Sequence, residues 1–293
     1  MKPQVRFVFH APSHTFSYVV WDPATRRAAI IDPVLDYDPA SGRSGTQSVE
    51  QLVAIVEAEG LTLEWLLETH AHADHITAAP FLKARFGAPV AIGKGITQVQ
   101  ARFVQLFNLG ADFPADGRQF GHLFADGETF AIGDLAAQVI HTPGHTSDHV
   151  SYVIGDAVFV GDTLFLPDAG TARCDFPAGS ASDLYGSIHR LFEALPDSQR
   201  MFVLHDYGTA TRGPANQTTV GEQREGNIHV GGGVSEAAFV ARREARDATL
   251  AMPGLILSAV QVNIRAGEFP APEDNGMRYL KIPLDEFRAY WRP

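Results

Sequence analysis

The chain has 293 residues, 45% of them hydrophobic and 19% charged, which is enough for a large core in one or two domains. A formal net charge of −11 with no basic stretch argues against a nucleic-acid partner. No apolar run reaches the length of a membrane span, the opening Met1-Lys-Pro-Gln-Val-Arg6 has no leader-like apolar stretch, and the single cysteine, Cys174, excludes an intrachain disulfide, so a soluble cytoplasmic protein with no membrane partner is expected.

In chain order, residues 5–9, 16–20 and 28–31 read as three antiparallel strands, with Asp22-Pro-Ala-Thr25 as a turn. Residues 41–45 read as a loop, and the helix after them carries Val49, Leu52, Val53 and Val56 on one face. Residues 63–68 read as a strand. Helical apolar spacing follows at Ile76, Ala79, Phe81, Leu82 and Phe86, and another strand at 90–92. The stretch 95–121 is longer than a typical connection. It holds an apolar helix (Ile96, Val99, Phe103, Leu106, Phe107) and then a polar loop, an insert suited to a lid, a homodimer contact or a plain surface excursion. Strands recur at 128–132, 135–140, 150–154 and 158–160. Leu184, Ile188, Leu191, Phe192 and Leu195 form the stripe of a covering helix, and Ser235 is placed to cap a helix running from Ala237 to Ala251. Sheets in the middle and helices outside predict an αββα sandwich over residues 1–293 as one domain, with an extension from about residue 231.

The chemistry concentrates between Thr69 and Ile76, where His70, His72, Asp74 and His75 fall within six residues. Three imidazoles and a carboxylate are costly to bury without partners, and a divalent metal satisfies several at once. The cluster sits on the turn after a strand, where open α/β architectures place their sites. Three further segments share that layout: residues 135–140 lead to His141-Thr-Pro-Gly-His145, residues 158–160 to Gly161-Asp162, and residues 201–204 to His205. The order His-x-His-x-Asp-His, then His, Asp and His, resembles the metallo-β-lactamase superfamily over roughly residues 5–230. It implies that family's four-layer αββα sandwich.

Two metal arrangements are open on ligand type. His70, His72 and His145 can form one zinc site, with Asp74, His75 and His205 forming a second and Asp162 bridging, a set for hydrolysing thioesters, lactams or lactones. The same residues can hold one iron(II) on two histidines and a carboxylate. The segment 161–176, with Gly161-Asp162 followed by Gly170-Thr-Ala-Arg-Cys-Asp-Phe176, resembles the persulfide dioxygenase branch. Leu184-Tyr-Gly-Ser-Ile-His189, His205-Asp-Tyr207, Gln261-Val-Asn-Ile-Arg-Ala-Gly267 and the stretch 272–283 extend the likeness. That resemblance implies one Fe(II) per chain on His70, His145 and Asp162, with His72, Asp74, His75 and His205 beside it. It also implies oxidation of glutathione persulfide, or a related small persulfide, by O2 to sulfite and thiol.

Arg173 matches the branch's arginine for the glutathione end of the substrate, and an ion pair with Asp168 or Asp175 is its bland alternative. Tyr207 is a candidate substrate contact, Asp206 a carboxylate behind the ligands, and Cys174 a plain buried thiol. His141 is a candidate support for the ligands, whereas His10, His14, His122, His149, His189 and His229 read as structural or surface residues. The rival is a binuclear zinc hydrolase of the glyoxalase II or lactonase type, disfavoured because no basic helical cluster is evident towards the C-terminus.

Overall fold

A computed structural model describes residues 2–110 and 113–285. Strands β1 (Gln4–His10), β2 (Thr15–Trp21) and β3 (Arg27–Ile31) form an antiparallel meander. Next come the hairpin β4 (Val34–Asp38) and β5 (Arg43–Gly45), then α1 (Gln47–Ala58) and β6 (Thr62–Leu67), which pairs in parallel with β3. Part of the segment 41–45 is thus strand and not loop. Helical spacing from Ile76 overran by three residues: Ile76–Thr77 is a short strand, β7, on β4, and α2 (Ala79–Phe86) starts after it with Pro80 in its first turn.

The parallel strand β8 (Val90–Gly93), helix α3 (Ile96–Leu106) and strand β9 (His122–Phe124) complete the first half, giving a sheet ordered β1-β2-β3-β6-β8-β9. The second sheet follows as β10 (Thr129–Ile132), β11 (Leu135–His141), β12 (Val150–Ile154) and β13 (Ala157–Phe159). After α4 (Ala181–Ala194) it continues with β14 (Arg200–Phe202) and β15 (Gln217–Thr219). Helices α5 (Val220–Gly226), α6 (Glu236–Asp247) and α7 (Ile256–Asn263) follow. Ser235 does cap α6, accepting a bond from the Ala238 N–H, but the helix stops at Asp247.

The layering follows from period-two alternation on strands buried on both faces. Val19, Ala28 and Ile30 pack with α1, α2 and α3, whereas Tyr18, Val20, Ala29 and Ile31 pack against Tyr152, Ile154, Phe159 and Phe202 of the other sheet. The outer face of that second sheet is covered by α4 and α6 through Leu184, Ile188, Leu191 and Phe239. The result is the expected helix–sheet–sheet–helix sandwich. Phe103, Leu106 and Phe107 of α3 are buried in the chain's own core, as are Phe113 and Phe120 beyond it. The apolar face that suggested a homodimer contact is therefore spent inside the molecule. Residues 111–112 of that insert lie outside the described residues. Among the described residues no helix is long and apolar enough to cross a membrane.

Candidate metal centre

Four strand ends deliver the site. β6 leads into the loop 70–75, β11 into His145, β13 into Asp162 and β14 into His205. Two glycines make the delivery possible. Gly161 has φ +48°, and a Cβ there would sit 2.5 Å from His149 Nε2 and 2.7 Å from Thr69 Oγ1. Gly144 has φ +138°, and its Cβ would lie 2.4 Å from the Leu184 backbone on α4. Only glycine tolerates both the conformation and the crowding.

Hydrogen bonds fix which nitrogen each histidine presents. Asp32 accepts from Thr69 N–H at 2.7 Å and from Thr69 Oγ1 at 2.9 Å. With its proton so used, the Thr69 hydroxyl accepts from His70 Nδ1 at 3.0 Å, which leaves His70 Nε2 as a bare, buried lone pair. His145 Nδ1 likewise donates to the Arg173 carbonyl at 2.7 Å, freeing its Nε2. Asp162 is anchored through its backbone N–H, which donates to His149 Nε2 at 2.9 Å, and its Oδ1 is buried without a hydrogen-bond partner. His70 Nε2 lies 3.7 Å and His145 Nε2 3.4 Å from Asp162 Oδ2. The three residues place one ligand atom each within 4.8 Å of one another. Burial, followed by the neighbouring imidazoles, pushes His70 well below the ordinary histidine pKa, so it is a neutral donor.

The other members are tied differently. His72 Nε2 lies 2.9 Å from Asp32 Oδ1 and 3.2 Å from Glu68 Oε2. Burial alone would lower its pKa, but the two carboxylates prevail and raise it well above the usual value. His72 Nδ1 and His75 Nε2 are buried without partners. Asp74 Oδ1 is 3.3 Å from His75 Nδ1, and its Oδ2 is 3.3 Å from His205 Nε2. Against the cost of burial, His205 and then His75 hold Asp74 well below the carboxylate range. His205 donates from Nδ1 to the His14 carbonyl at 3.2 Å and sets Nε2 3.4 Å from Asp162 Oδ1. His72, Asp74 and His75 form a second possible metal-holding group, with Asp74 partly exposed.

All seven metal-type residues expected from sequence therefore meet in one place. Several buried donor atoms with no protein partner, aimed at a shared point, fit a divalent metal. Sequence reading missed the layer behind them: Asp32, Glu68, Asp148 and Asn263. Asp148 accepts the Ala71 N–H at 2.8 Å. Asn263, on α7, donates from Nδ2 to the carbonyls of both His72 and His75 at 2.8 Å and accepts the Thr77 N–H at 3.0 Å. His149, read as structural or surface, is the buried acceptor that seats Asp162.

The centre opens into a cavity of about 930 Å³ lined by Asp74, His75, His145, Asp162 and His205 together with Phe165, Phe176, Tyr37 and Leu255. Arg173 lines it too, but its guanidinium is engaged: Nε and Nη2 grip Asp175 at 2.6 and 2.8 Å, and Nη1 donates to Ala251 O at 2.7 Å. The structure thus places Arg173 in the Asp175 pair, whereas Asp168 pairs with Arg212. Tyr207 lines the cavity at 60% exposure with its ring 4.9 Å from that of His14. Asp206 is buried but faces away, bonded to Arg212 and to the Ala215 N–H. His141 Nε2 donates to the Ser147 carbonyl at 3.0 Å, a bond to none of the seven metal-type residues. Cys174 is buried, and burial, then Asp247, push its thiol up. His10, His14 and His229 line the same cavity. The basic cluster that sequence reading did not find towards the C-terminus is present on α6 as Arg242, Arg243 and Arg246, all lining the cavity.

A family model described as the metallo-beta-lactamase superfamily matches residues 10–198. The chain is 51% identical over 287 residues to a probable metallo-hydrolase of Burkholderia pseudomallei, covering 94% of this chain and 97% of that protein. It is 48% identical to a protein named glyoxylase B2 from Dictyostelium discoideum, with 93% and 94% covered. It is 30% identical to human mitochondrial persulfide dioxygenase ETHE1, with 90% and 88% covered. Among solved structures, ETHE1 from Myxococcus xanthus superposes with a TM-score of 0.72 at 33% identity, covering 90% of this chain and all of that one.

Proposed function

Because the chain belongs to the metallo-beta-lactamase superfamily, its metal centre is the place to look for chemistry, and we propose that it is an Fe(II)-dependent persulfide dioxygenase. The substrate would be glutathione persulfide or a related small persulfide, with RSSH, O2 and H2O giving RSH and sulfurous acid, which ionises to sulfite. The observation that carries this reading is the division of labour in the cluster. His70, His145 and Asp162 offer two imidazoles and one carboxylate that have their anchoring bonds elsewhere and their donor atoms turned towards one another. That donor set suits a mononuclear non-haem iron with open positions. The likeness to the ETHE1 proteins supports the same choice.

Bound Fe(II) would supply the redox chemistry that couples a persulfide sulfur to O2, which zinc lacks. The chain's own residues do the rest. Thr69 and the Arg173 carbonyl orient His70 and His145. Phe176 packs on the His145 ring at 4.6 Å and, with Phe165 and Leu255, keeps the mouth apolar. His205 sets Nε2 3.3 Å from Asp74 and 3.4 Å from Asp162, where it can hydrogen-bond the oxygens of the product. Tyr207 stands at the rim as a contact for the thiol carrier.

The second reading is a binuclear zinc hydrolase of the glyoxalase II or lactonase type. It is favoured by His205 Nε2 lying between Asp74 and Asp162, which joins the two ligand groups, and by the hydrolase and glyoxylase names of nearer relatives. Oxygen decides between them. Turnover of a persulfide by protein purified without added metal and then loaded anaerobically with iron should consume O2, release sulfite and stop without oxygen. Activity on lactoyl-glutathione or a lactone that persists anaerobically, with two zinc ions per chain, would establish the hydrolase instead.

A further inference from the structure

Behind His205 runs a buried line of side chains that the metal centre itself does not use. The turn between β1 and β2 is stitched to the strand end that delivers His205. Thr15 pairs with His205 across an isolated antiparallel bridge, and the Phe16 N–H donates to the Leu204 carbonyl at 2.8 Å. On the same turn His14 takes a positive φ of +54°, which non-glycine residues rarely adopt, and its carbonyl accepts from His205 Nδ1 at 3.2 Å. From that nitrogen the line runs outwards. His205 Nδ1 lies 3.3 Å from Thr15 Oγ1, Thr15 Oγ1 lies 2.7 Å from Ser13 Oγ, and Ser13 Oγ lies 2.6 Å from His10 Nδ1. On the far side of the His10 ring, Nε2 is 3.6 Å from Asp36 Oδ1. Asp36 is itself held by the N–H and the hydroxyl of Ser48, at 2.8 and 2.7 Å. His10, Thr15 and His205 are all buried.

The two ends of the line set its polarity. The Ser13 N–H can only donate, and it meets His10 Nδ1 at 3.3 Å, so that nitrogen is an acceptor and the neutral ring carries its proton on Nε2, towards Asp36. The Ser13 hydroxyl therefore donates to His10, the Thr15 hydroxyl donates to Ser13, and Thr15 Oγ1 accepts from His205. At the other end the His14 carbonyl, which can only accept, requires the same proton on His205 Nδ1. Both ends agree. We propose that His10 is a positioning residue for His205. As the terminal acceptor it orders the two hydroxyls, and they hold the His205 ring with Nδ1 outwards and Nε2 3.3 Å from Asp74 and 3.4 Å from Asp162. Without that acceptor the Ser13 hydroxyl turns onto Thr15 Oγ1 and competes with His205 for it, while Thr15 donates to the Ser13 carbonyl 3.3 Å away. This role rests on the reading of His205 as the group that meets the oxygens of the product. In the hydrolase reading the same line orients a zinc ligand.

The test compares His10→Ala, His10→Asn, His10→Gln and Ser13→Ala in the metal-loaded protein. An asparagine amide reaches the place of Nδ1 and a glutamine amide that of Nε2, so only asparagine returns an acceptor to Ser13. In zinc-loaded protein with isotope-labelled histidines, NMR reads the His205 Nδ1 proton directly. Its exchange with water should be roughly tenfold faster in His10→Ala, His10→Gln and Ser13→Ala, the loss of one ordinary hydrogen bond, and close to the parent rate in His10→Asn. With iron and a persulfide, the same three variants should lose kcat by a similar factor at unchanged KM and metal content. His10→Ala combined with Ser13→Ala should be no worse than either alone, because both belong to one line. Parent-like proton exchange in His10→Ala, or His10 and Ser13 effects that simply add, overturns the proposal. Should His10→Ala fold poorly, the contrast between asparagine and glutamine decides, and equal behaviour of those two overturns it as well. A parent that consumes no oxygen with any persulfide would remove the dioxygenase reading, while the proton-exchange comparison would still decide the role of His10.

Discussion

His70 and His145 turn their far nitrogens to neutral oxygens, the Thr69 hydroxyl and the Arg173 carbonyl, whereas His72 turns its far nitrogen to two buried carboxylates, Asp32 and Glu68. The first anchoring leaves Nε2 of each ring aimed inward. The second ties Nε2 to charge, so that Nδ1 is the nitrogen left buried without a partner. Three histidines that look alike in sequence are thus sorted by what stands behind them. The half of the cluster built on His70, His145 and Asp162 is one candidate ligand set. The half built on His72, Asp74 and His75 is the other, with His72 tied to buried carboxylates behind it.

Replacing Asp162 with alanine tests this contrast most severely. It removes the one carboxylate of the ligand set, and metal analysis should find essentially no bound iron, while His72→Ala retains most of it. Equal loss from the two variants would describe a shared binuclear site and favour zinc.

Asn263→Ala addresses the other half. It deletes the bonds that hold the His72 and His75 carbonyls and the Thr77 N–H. Removing a group that orients ligands typically lowers metal affinity about 10–100-fold, and metal competition should read a fall of that order. If affinity is unchanged while the thermal midpoint drops, the clamp matters only to folding and the second half does not bear on the metal.

Arg173→Ala sharpens the first half from behind. The resemblance to the persulfide dioxygenase branch placed this residue on the glutathione end of the substrate. Its bidentate hold on Asp175 and its bond to Ala251 O place the main cost in stability, about 1–3 kcal/mol by denaturant titration. A raised KM at unchanged stability would return the side chain to the substrate.

The smallest effect concerns the neighbouring Cys174. Burial raises its thiol pKa, so the sulfur remains protonated through and above neutral pH and the folded protein should react slowly with a thiolate-selective alkylating reagent. Rapid modification of native protein would mean that the segment beside Arg173 opens readily.

The metal-type residues were legible because four of them, His70 to His75, fall within six positions and because each of the four segments that carry them follows a short apolar strand. The sandwich was legible because β2 and β3 are buried on both faces and read as continuous apolar runs. Asp32, Asn263 and the α6 arginines were not. A buried carboxylate 37 residues from the threonine it anchors, or an amide 191 residues from its carbonyl, leaves no spacing to recognise. Arg242 and Arg246 have the periodicity of any solvated helix face, and only the packing of α6 turns them towards a cavity. Strands β9 and β15, three residues each, are too short to display a period.

The Asn263 clamp also sets an order of events during synthesis. The loop that carries His70, His72, Asp74 and His75 leaves the ribosome 191 residues before the amide that ties it down. At roughly 5–20 residues per second that is an interval of about 10–40 s, during which the histidines exist without their keystone. Metal delivered in that interval meets a floppy, promiscuous cluster, and metal delivered afterwards meets a shaped one.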